Sequence, residues 1–107
     1  MEKGKKVLDT ARLRSYNWDR FTSSNKVSLS PCFVGTVIVT GDAQGVPVIT
    51  LYDGESANDP VLFQFNGING GTKQFHLQPP LKTERGLYLL FGDNATAVLI
   101  EYERLQE

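Results

Sequence analysis

Apolar and polar residues alternate along most of the chain beyond residue 26. A period of two is typical of strands with one buried face, because successive side chains of a strand point to opposite faces of the sheet. The alternation is clear in VITLY, VLFQFN and KQFHLQ. In the last of these it predicts that Phe75 and Leu77 point inward, and that Gln74, His76 and Gln78 point outward.

An earlier alternating segment, VSLSPCFVGTVIVTG, predicts one strand that breaks or bends at Pro31. Beyond the proline, the alternation predicts that Val34, Thr36 and Ile38 share one face. The proline itself disfavours a continuous central strand, since it has no N–H to donate to a neighbour.

The remaining strands are predicted in the second half of the chain. The pattern places Val61, Phe63 and Phe65 on one face of a strand. RGLYLLFGD and ATAVLIEYERL are more continuously apolar, which favours central strands covered on both faces. Tyr52 and Tyr88 fall at strand positions that also fit the core, so we expect them to pack inside.

Turn residues separate these segments about every 8–12 residues, in TGDAQG, DGESANDP, NGINGG, QPPLKTERG and GDNA. Gly, Asn and Asp tolerate positive φ and Pro presets a bend. The pattern therefore predicts an all-β fold, an antiparallel β-sandwich or small jelly roll of about six to eight strands. At 107 residues the chain is one domain at most.

Charge divides the chain near residue 26. Residues 1–26 carry seven Lys and Arg against three Asp and Glu, a net charge of +4, while residues 27–107 carry four against nine, a net charge of −5. We therefore expect an extended basic N-terminal arm, residues 1–26, on an acidic sandwich body, residues 27–107.

The arm mixes aromatic and arginine side chains, the types that anchor protein interfaces. We expect it to dock on another protein or on the acidic body of a neighbouring subunit. Its candidate partner-binding residues are Arg12, Arg14, Tyr16, Trp18, Arg20 and Phe21.

Four polar residues of one loop, Asp53, Glu55, Asn58 and Asp59, are candidates for loop contacts with a partner. Asp-Gly followed by small polar residues is first of all a turn signal, and a structural loop is the simpler interpretation. A calcium loop needs acidic residues at alternating positions, which this segment lacks. We predict no metal site and no cofactor.

No catalytic motif is present, and we predict no catalytic residue and no enzyme activity. The only cysteine, Cys32, lies in an apolar segment, and the only histidine, His76, is predicted to face solvent. The acidic body disfavours nucleic acid, because it repels phosphate. No segment is long and apolar enough to span a membrane. Exposed aromatics on a sandwich leave carbohydrate binding open as a rival function.

The motif order across residues 33–103 resembles that of small β-sandwich virion proteins of tailed bacteriophages, the capsid decoration (cement), head-fibre and tail accessory class. The motifs that carry the resemblance are GTVIVTGDAQG, LYDG with its small polar loop, PVLFQF, PP before a charged loop, GLYLLFG and ATAVLIEY.

This resemblance implies a non-enzymatic structural protein of a virion, made in the host cytoplasm. It implies a homotrimer that binds the major capsid protein or another virion protein and stabilises the assembled shell. The alternative within the same class is a receptor- or carbohydrate-binding head-fibre or tail domain, for which a glycan is the ligand.

Overall fold

The computed structural model describes residues 17–105, which form two four-stranded antiparallel sheets and contain no helix. The all-β sandwich predicted from the sequence is confirmed. The strands are β1 (Asn17–Phe21), β2 (Asn25–Ser28), β3 (Cys32–Gly41), β4 (Val48–Tyr52), β5 (Val61–Asn66), β6 (Thr72–Lys82), β7 (Leu87–Phe91) and β8 (Ala95–Arg104).

The strand order is that of a jelly roll. Sheet I has the order β1-β8-β3-β6, and sheet II has the order β2-β7-β4-β5. The first strand pairs with the last, β2 with β7, β3 with β6, and β4 with β5. One long hairpin rolled into two sheets produces this pairing. The β4–β5 loop, residues 53–60, is the tip of that hairpin.

The core lies between the two sheets and consists mainly of β-branched and leucine side chains. Every second residue of the central strands points into it, as the period of two requires. Its buried hydrophobic residues are Val27, Cys32, Val34, Val37, Val39, Ile49, Leu51, Phe65, Leu87, Leu89, Val98, Ile100 and Tyr102. Phe75 and Leu77 pack against this core and His76 is exposed, which confirms the orientation predicted for β6.

Two irregularities change which side chains share a face. The register of β3 shifts between Val34 and Thr36. Val34 is therefore fully buried, whereas Ile38 is only half-buried on the outer face. The expectation that Val34 shares a face with Thr36 and Ile38 is wrong, because a bulge inserts one residue after Val34 and reverses the alternation. Thr36 and Ile38 do share one face, the outer one. A second register shift, between β4 and β5, places Val61 opposite Tyr52 on the outer face of sheet II. The prediction that Val61 shares a face with Phe63 and Phe65 is therefore wrong.

The prediction that β7 and β8 are central strands is confirmed, but neither is covered on both faces. Their outward side chains, among them Tyr88 and Leu99, are half-exposed. Tyr52 and Tyr88 therefore lie on the outer face of sheet II, and their predicted place in the core is wrong. A continuously apolar strand does not reveal which of its faces lies inside.

Strand β1 belongs to the segment expected to form the arm, and it forms the edge of sheet I beside β8. Residues 1–16 lie outside the described part of the chain. The sequence gives little sign of β1, since four of its five residues are exposed. Strand β1 is held by its pairing with β8, by Phe21, which packs against the core, and by the Tyr102 hydroxyl, which donates a 2.6 Å hydrogen bond to Asp19 Oδ2.

This contact predicts a loss of stability at high pH. Burial, and then the hydrogen bond to Asp19, raise the pKa of Tyr102 from 10.0 to about 12. The raised pKa stabilises the fold below pH 10, and that contribution is lost between pH 10 and 12. Urea denaturation across this range is expected to show a steeper loss for the wild type than for Tyr102→Phe, which has no phenol proton to lose. Equal pH slopes would contradict this account.

Candidate functional site

The β4–β5 loop is fastened to the β6–β7 loop by one carboxylate. Asp53 Oδ1 accepts the backbone N–H of Arg85 at 2.8 Å and that of Gly86 at 3.4 Å, and Oδ2 accepts that of Glu84 at 3.0 Å. We call this arrangement the Asp53 clamp. The Asp53 N–H also donates to the Pro60 carbonyl at 2.8 Å, which closes the loop at its base.

Asp59 organises the inside of the same loop. Its Oδ2 accepts the N–H of Glu55 at 2.7 Å and of Ser56 at 3.1 Å, and its Oδ1 lies 3.1 Å from Arg85 Nη1. The ion pair with Arg85 provides a second link to the β6–β7 loop. Both aspartates thus hold loops together, which is the structural interpretation that the sequence favoured.

The ionisation of both aspartates fits this role. Partial burial of Asp53 disfavours its charged form, but the N–H groups of Glu84, Arg85 and Gly86 outweigh that effect and lower its pKa below 3.8. The Glu55 N–H is the main cause that lowers the pKa of Asp59. Each carboxylate is therefore stabilised in its charged form by donors of the folded chain.

Three chain segments approach closely at the clamp. A Cβ atom on Gly86 would lie 2.6 Å from the Ser28 carbonyl oxygen and 3.2 Å from that of Gly54. Only glycine fits this crossing without displacing the backbone. The clamp lies at the end of β4 and the beginning of β7, so it fixes the positions of Tyr52 and Tyr88 on these neighbouring strands.

The outer face of β7, β4 and β5 carries no charged residue, and we call it the tyrosine face. Its residues are Tyr88, Leu90, Val48, Thr50, Tyr52, Val61, Gln64 and Asn66. The rings of Tyr52 and Tyr88 are half-buried, with centroids 6.2 Å apart and planes inclined by 55°. Val61 beside them is 60% exposed. Aromatic residues without charges are typical of the centre of a protein interface.

Charged groups lie beside the tyrosine face rather than on it. Lys26, opposite Tyr88 on β2, has its Nζ 3.8 Å from Glu55 Oε1. Both of these side chains are more than half exposed, so the ion pair adds little stability. An apolar centre with a polar rim is the usual composition of a binding surface.

The outer face of sheet I is different, because charged and polar residues lie on it among apolar ones. Trp18, Glu101, Thr36 and His76 lie in one row over its four strands. The Thr36 hydroxyl donates to Glu101 Oε1 at 2.7 Å and lies 3.4 Å from His76 Nδ1. A nucleophilic hydroxyl needs its proton directed to a histidine that an acid orients. Here the hydroxyl donates its hydrogen bond to the acid and not to the histidine, so the row joins strands and does not activate Thr36.

Cys32 is fully buried at the start of β3 and is held by Thr83. Its backbone N–H donates to Thr83 Oγ1 at 3.0 Å, and the threonine hydroxyl lies 3.7 Å from its sulfur. Burial raises the pKa of the Cys32 thiol. A buried, protonated thiol is a poor nucleophile, so Cys32 packs in the core.

Within residues 17–105, no three His, Cys, Asp or Glu side chains are close enough together to hold a metal ion. The same range contains no helix that is long and apolar enough to cross a membrane.

The structure separates the partner-binding residues predicted for the arm. Trp18 and Arg20 are exposed on the outer face of sheet I, and Trp18 is 48% exposed. Phe21 is half-buried and packs against the core. The other three predicted residues, Arg12, Arg14 and Tyr16, lie outside the described residues.

The four loop residues predicted to contact a partner fall into two groups, those with occupied side chains and those with exposed ones. The carboxylates of Asp53 and Asp59 are occupied by backbone donors, whereas the side chains of Glu55 and Asn58 are exposed. Sequence reasoning missed the tyrosine face. The absence of charge from VITLY, LYLLF and VLFQFN was the available signal.

Comparisons of the chain with protein-family models, curated proteins and solved structures find no match. The fold and the site define an eight-stranded jelly-roll protein whose two outer faces differ. The outer face of sheet I carries charged side chains, whereas the tyrosine face on β7, β4 and β5 of sheet II carries none.

Proposed function

We propose that this protein is a non-enzymatic structural protein of a virion, a decoration subunit that binds the outside of an assembled capsid shell. The tyrosine face carries the proposal, because it is aromatic and free of charge. The resemblance of residues 33–103 to phage decoration proteins supports the same function. Two side chains that could be nucleophiles are also in unreactive settings: the Thr36 hydroxyl donates its hydrogen bond to Glu101, and Cys32 is buried.

In this proposal, the subunit acts by binding and not by reaction. The tyrosine face contacts the major capsid protein or another virion protein, and the basic N-terminal segment adds further contacts. A ligand that binds only the assembled state stabilises that state by mass action, by about 2.7 kcal/mol at a free concentration one hundred times Kd. The rigid sandwich loses little conformational freedom on binding, which favours affinity.

Electron microscopy of virions that contain the protein tests this function. Many copies are expected on the outer surface, with the tyrosine face against the shell. In a binding assay with shells stripped of the protein, the double change Tyr52→Ala and Tyr88→Ala should weaken binding roughly 30-fold or more, as for interface anchors in general.

The matched control for that assay is Ile68→Ala, since Ile68 is an exposed apolar residue on the β5–β6 loop. It should bind shells as the wild type does. Absence of the protein from virions, or a few copies confined to the tail, would refute a decoration role.

A second candidate is a receptor- or glycan-binding domain of the same kind of particle. The observation in its favour is the tilted pair of tyrosine rings on an open sheet face, since aromatic rings offer an apolar surface with a polar edge. Titration with oligosaccharides distinguishes the two functions. Glycan binding that the double tyrosine change abolishes, with no binding to shells, would favour this candidate.

A further inference from the structure

The four edge strands of the sandwich differ in how they are protected from pairing with another chain. Natural proteins protect exposed edges with charged residues, prolines or very short strands. Edge strand β1 carries Asp19 and Arg20. Edge strand β2 has only four residues and a register shift after Lys26. Edge strand β6 contains Lys73, Lys82 and two prolines.

Edge strand β5 carries neither a charge nor a proline. Its sequence is VLFQFN, and its residues Val61 and Phe63 are 60% and 52% exposed. A register shift at its start affects Leu62, but Phe63–Asn66 form a regular ladder with β4. An exposed, apolar and uncharged edge of this kind is the surface on which another strand pairs most easily.

Phe63 is the outermost of three phenylalanine rings that pack edge to face in a row. Its centroid lies 4.8 Å from that of Phe65, and Phe65 lies 4.9 Å from Phe75, both pairs edge to face. Phe65 is buried, and Lys73 Nζ lies over the Phe75 ring at 5.2 Å. This row of rings links the core to the β5 edge, where Phe63 is 52% exposed. Aromatic anchors of this kind contribute much of the binding energy at protein interfaces.

Charge indicates which partner fits this edge. Residues 27–107 have a net charge of −5 but the whole chain has −1, so two copies repel each other mainly where their acidic surfaces meet. Like charges directly opposite each other destabilise a pair of strands. At an uncharged edge, two copies can pair without placing such charges opposite each other. We propose that β5, with Phe63 as its anchor, is the surface through which copies of this chain associate.

The mass of the full chain in solution tests the proposal, measured by light scattering over a wide range of concentration. The wild type is expected at a multiple of the monomer mass. Phe63→Lys is expected to weaken association roughly 30-fold or more, since it replaces an aromatic anchor with a charge. Trp18→Lys is the matched control, because Trp18 is almost equally exposed but lies on β1. It should associate as the wild type does.

A cross-linking experiment avoids any dependence on the folding of Phe63→Lys. The only native cysteine is buried, so a new cysteine is the only reactive one. Under a mild added oxidant, Gln64→Cys on β5 should form covalent pairs and Thr96→Cys on β8 should not. A monomeric wild type, association that Phe63→Lys leaves unchanged, or equal cross-linking of the two cysteine variants would overturn the proposal. Shell binding by a monomer would leave the decoration function intact.

Discussion

Phe65→Ala is expected to lower the free energy of unfolding by about 3–5 kcal/mol, the usual cost of removing a buried phenylalanine ring. Phe65 is 1% exposed and contacts aromatic rings on both sides. The cavity left behind lies between the two sheets, where the rigid strands of a jelly roll collapse poorly around it. Urea denaturation followed by tryptophan fluorescence measures the change, because Trp18 is the only tryptophan.

Phe63→Ala is the control for this experiment, since it removes the same ring two residues away. Phe63 is 52% exposed, and its main contact within the fold is the edge-to-face pair with Phe65. Loss of such a pair costs about 0.5–1.5 kcal/mol. The two changes therefore distinguish folding from association. Phe65 contributes mainly to the stability of the fold, and Phe63 contributes mainly to the association of copies. Equal destabilisation by both changes would contradict this division.

Asp53→Ala is expected to lower the free energy of unfolding by about 2 kcal/mol, because it removes the acceptor of three backbone N–H groups. Hydrogen bonds to a charged group contribute about 1.5–3 kcal/mol each, and water replaces part of that at an exposed loop. Asp53→Asn keeps one acceptor oxygen without the charge, and its effect should lie between that of Asp53→Ala and the wild type. Chemical denaturation at neutral pH measures all three proteins.

The control for the clamp is Asp42→Ala. Asp42 is also a loop aspartate, but its carboxylate accepts a single N–H, that of Gln44 at 2.8 Å. Its replacement should cost less than about 1 kcal/mol. If both alanine changes have the same effect, the Asp53 clamp does not fasten the loops as described.

The clamp also has a pH dependence of known sign. The pKa values of Asp53 and Asp59 are lowered below 3.8 in the folded chain. Their contribution to stability is therefore complete above about pH 4 and is lost as the pH falls through the lowered values. Asp53→Ala should lose less stability than the wild type over this acid range.

The sequence predicted the parts of the fold that depend on an uninterrupted alternation. The pattern KQFHLQ has one apolar face, so it predicted which residues of β6 point inward. The pattern LYLLF is apolar on both faces, and it did not reveal that Tyr88 lies outside. The bulge between Val34 and Thr36 lies at Gly35, and a glycine inside a strand is a signal for a bulge. The alternation was continued through this glycine without a break, so Val34 and Ile38 were assigned to the same face.

The candidate site was predictable only where its contacts are local. Asp53-Gly54 was recognised as a turn, since that signal lies within a few residues. Its partners at residues 84–86 are about thirty residues away, and only the rolled hairpin brings them together. The same holds for β1, because its partner strand β8 lies at the other end of the described chain.

The pairing of the first strand with the last determines where the two ends of the described chain emerge. Asn17 lies directly opposite Tyr102 in sheet I. Residues 17 and 105 therefore lie at the same end of the sandwich, and linkers attached at these two residues would start next to each other. A structure attached directly to residues 17 and 105 would therefore lie at that end of the sandwich.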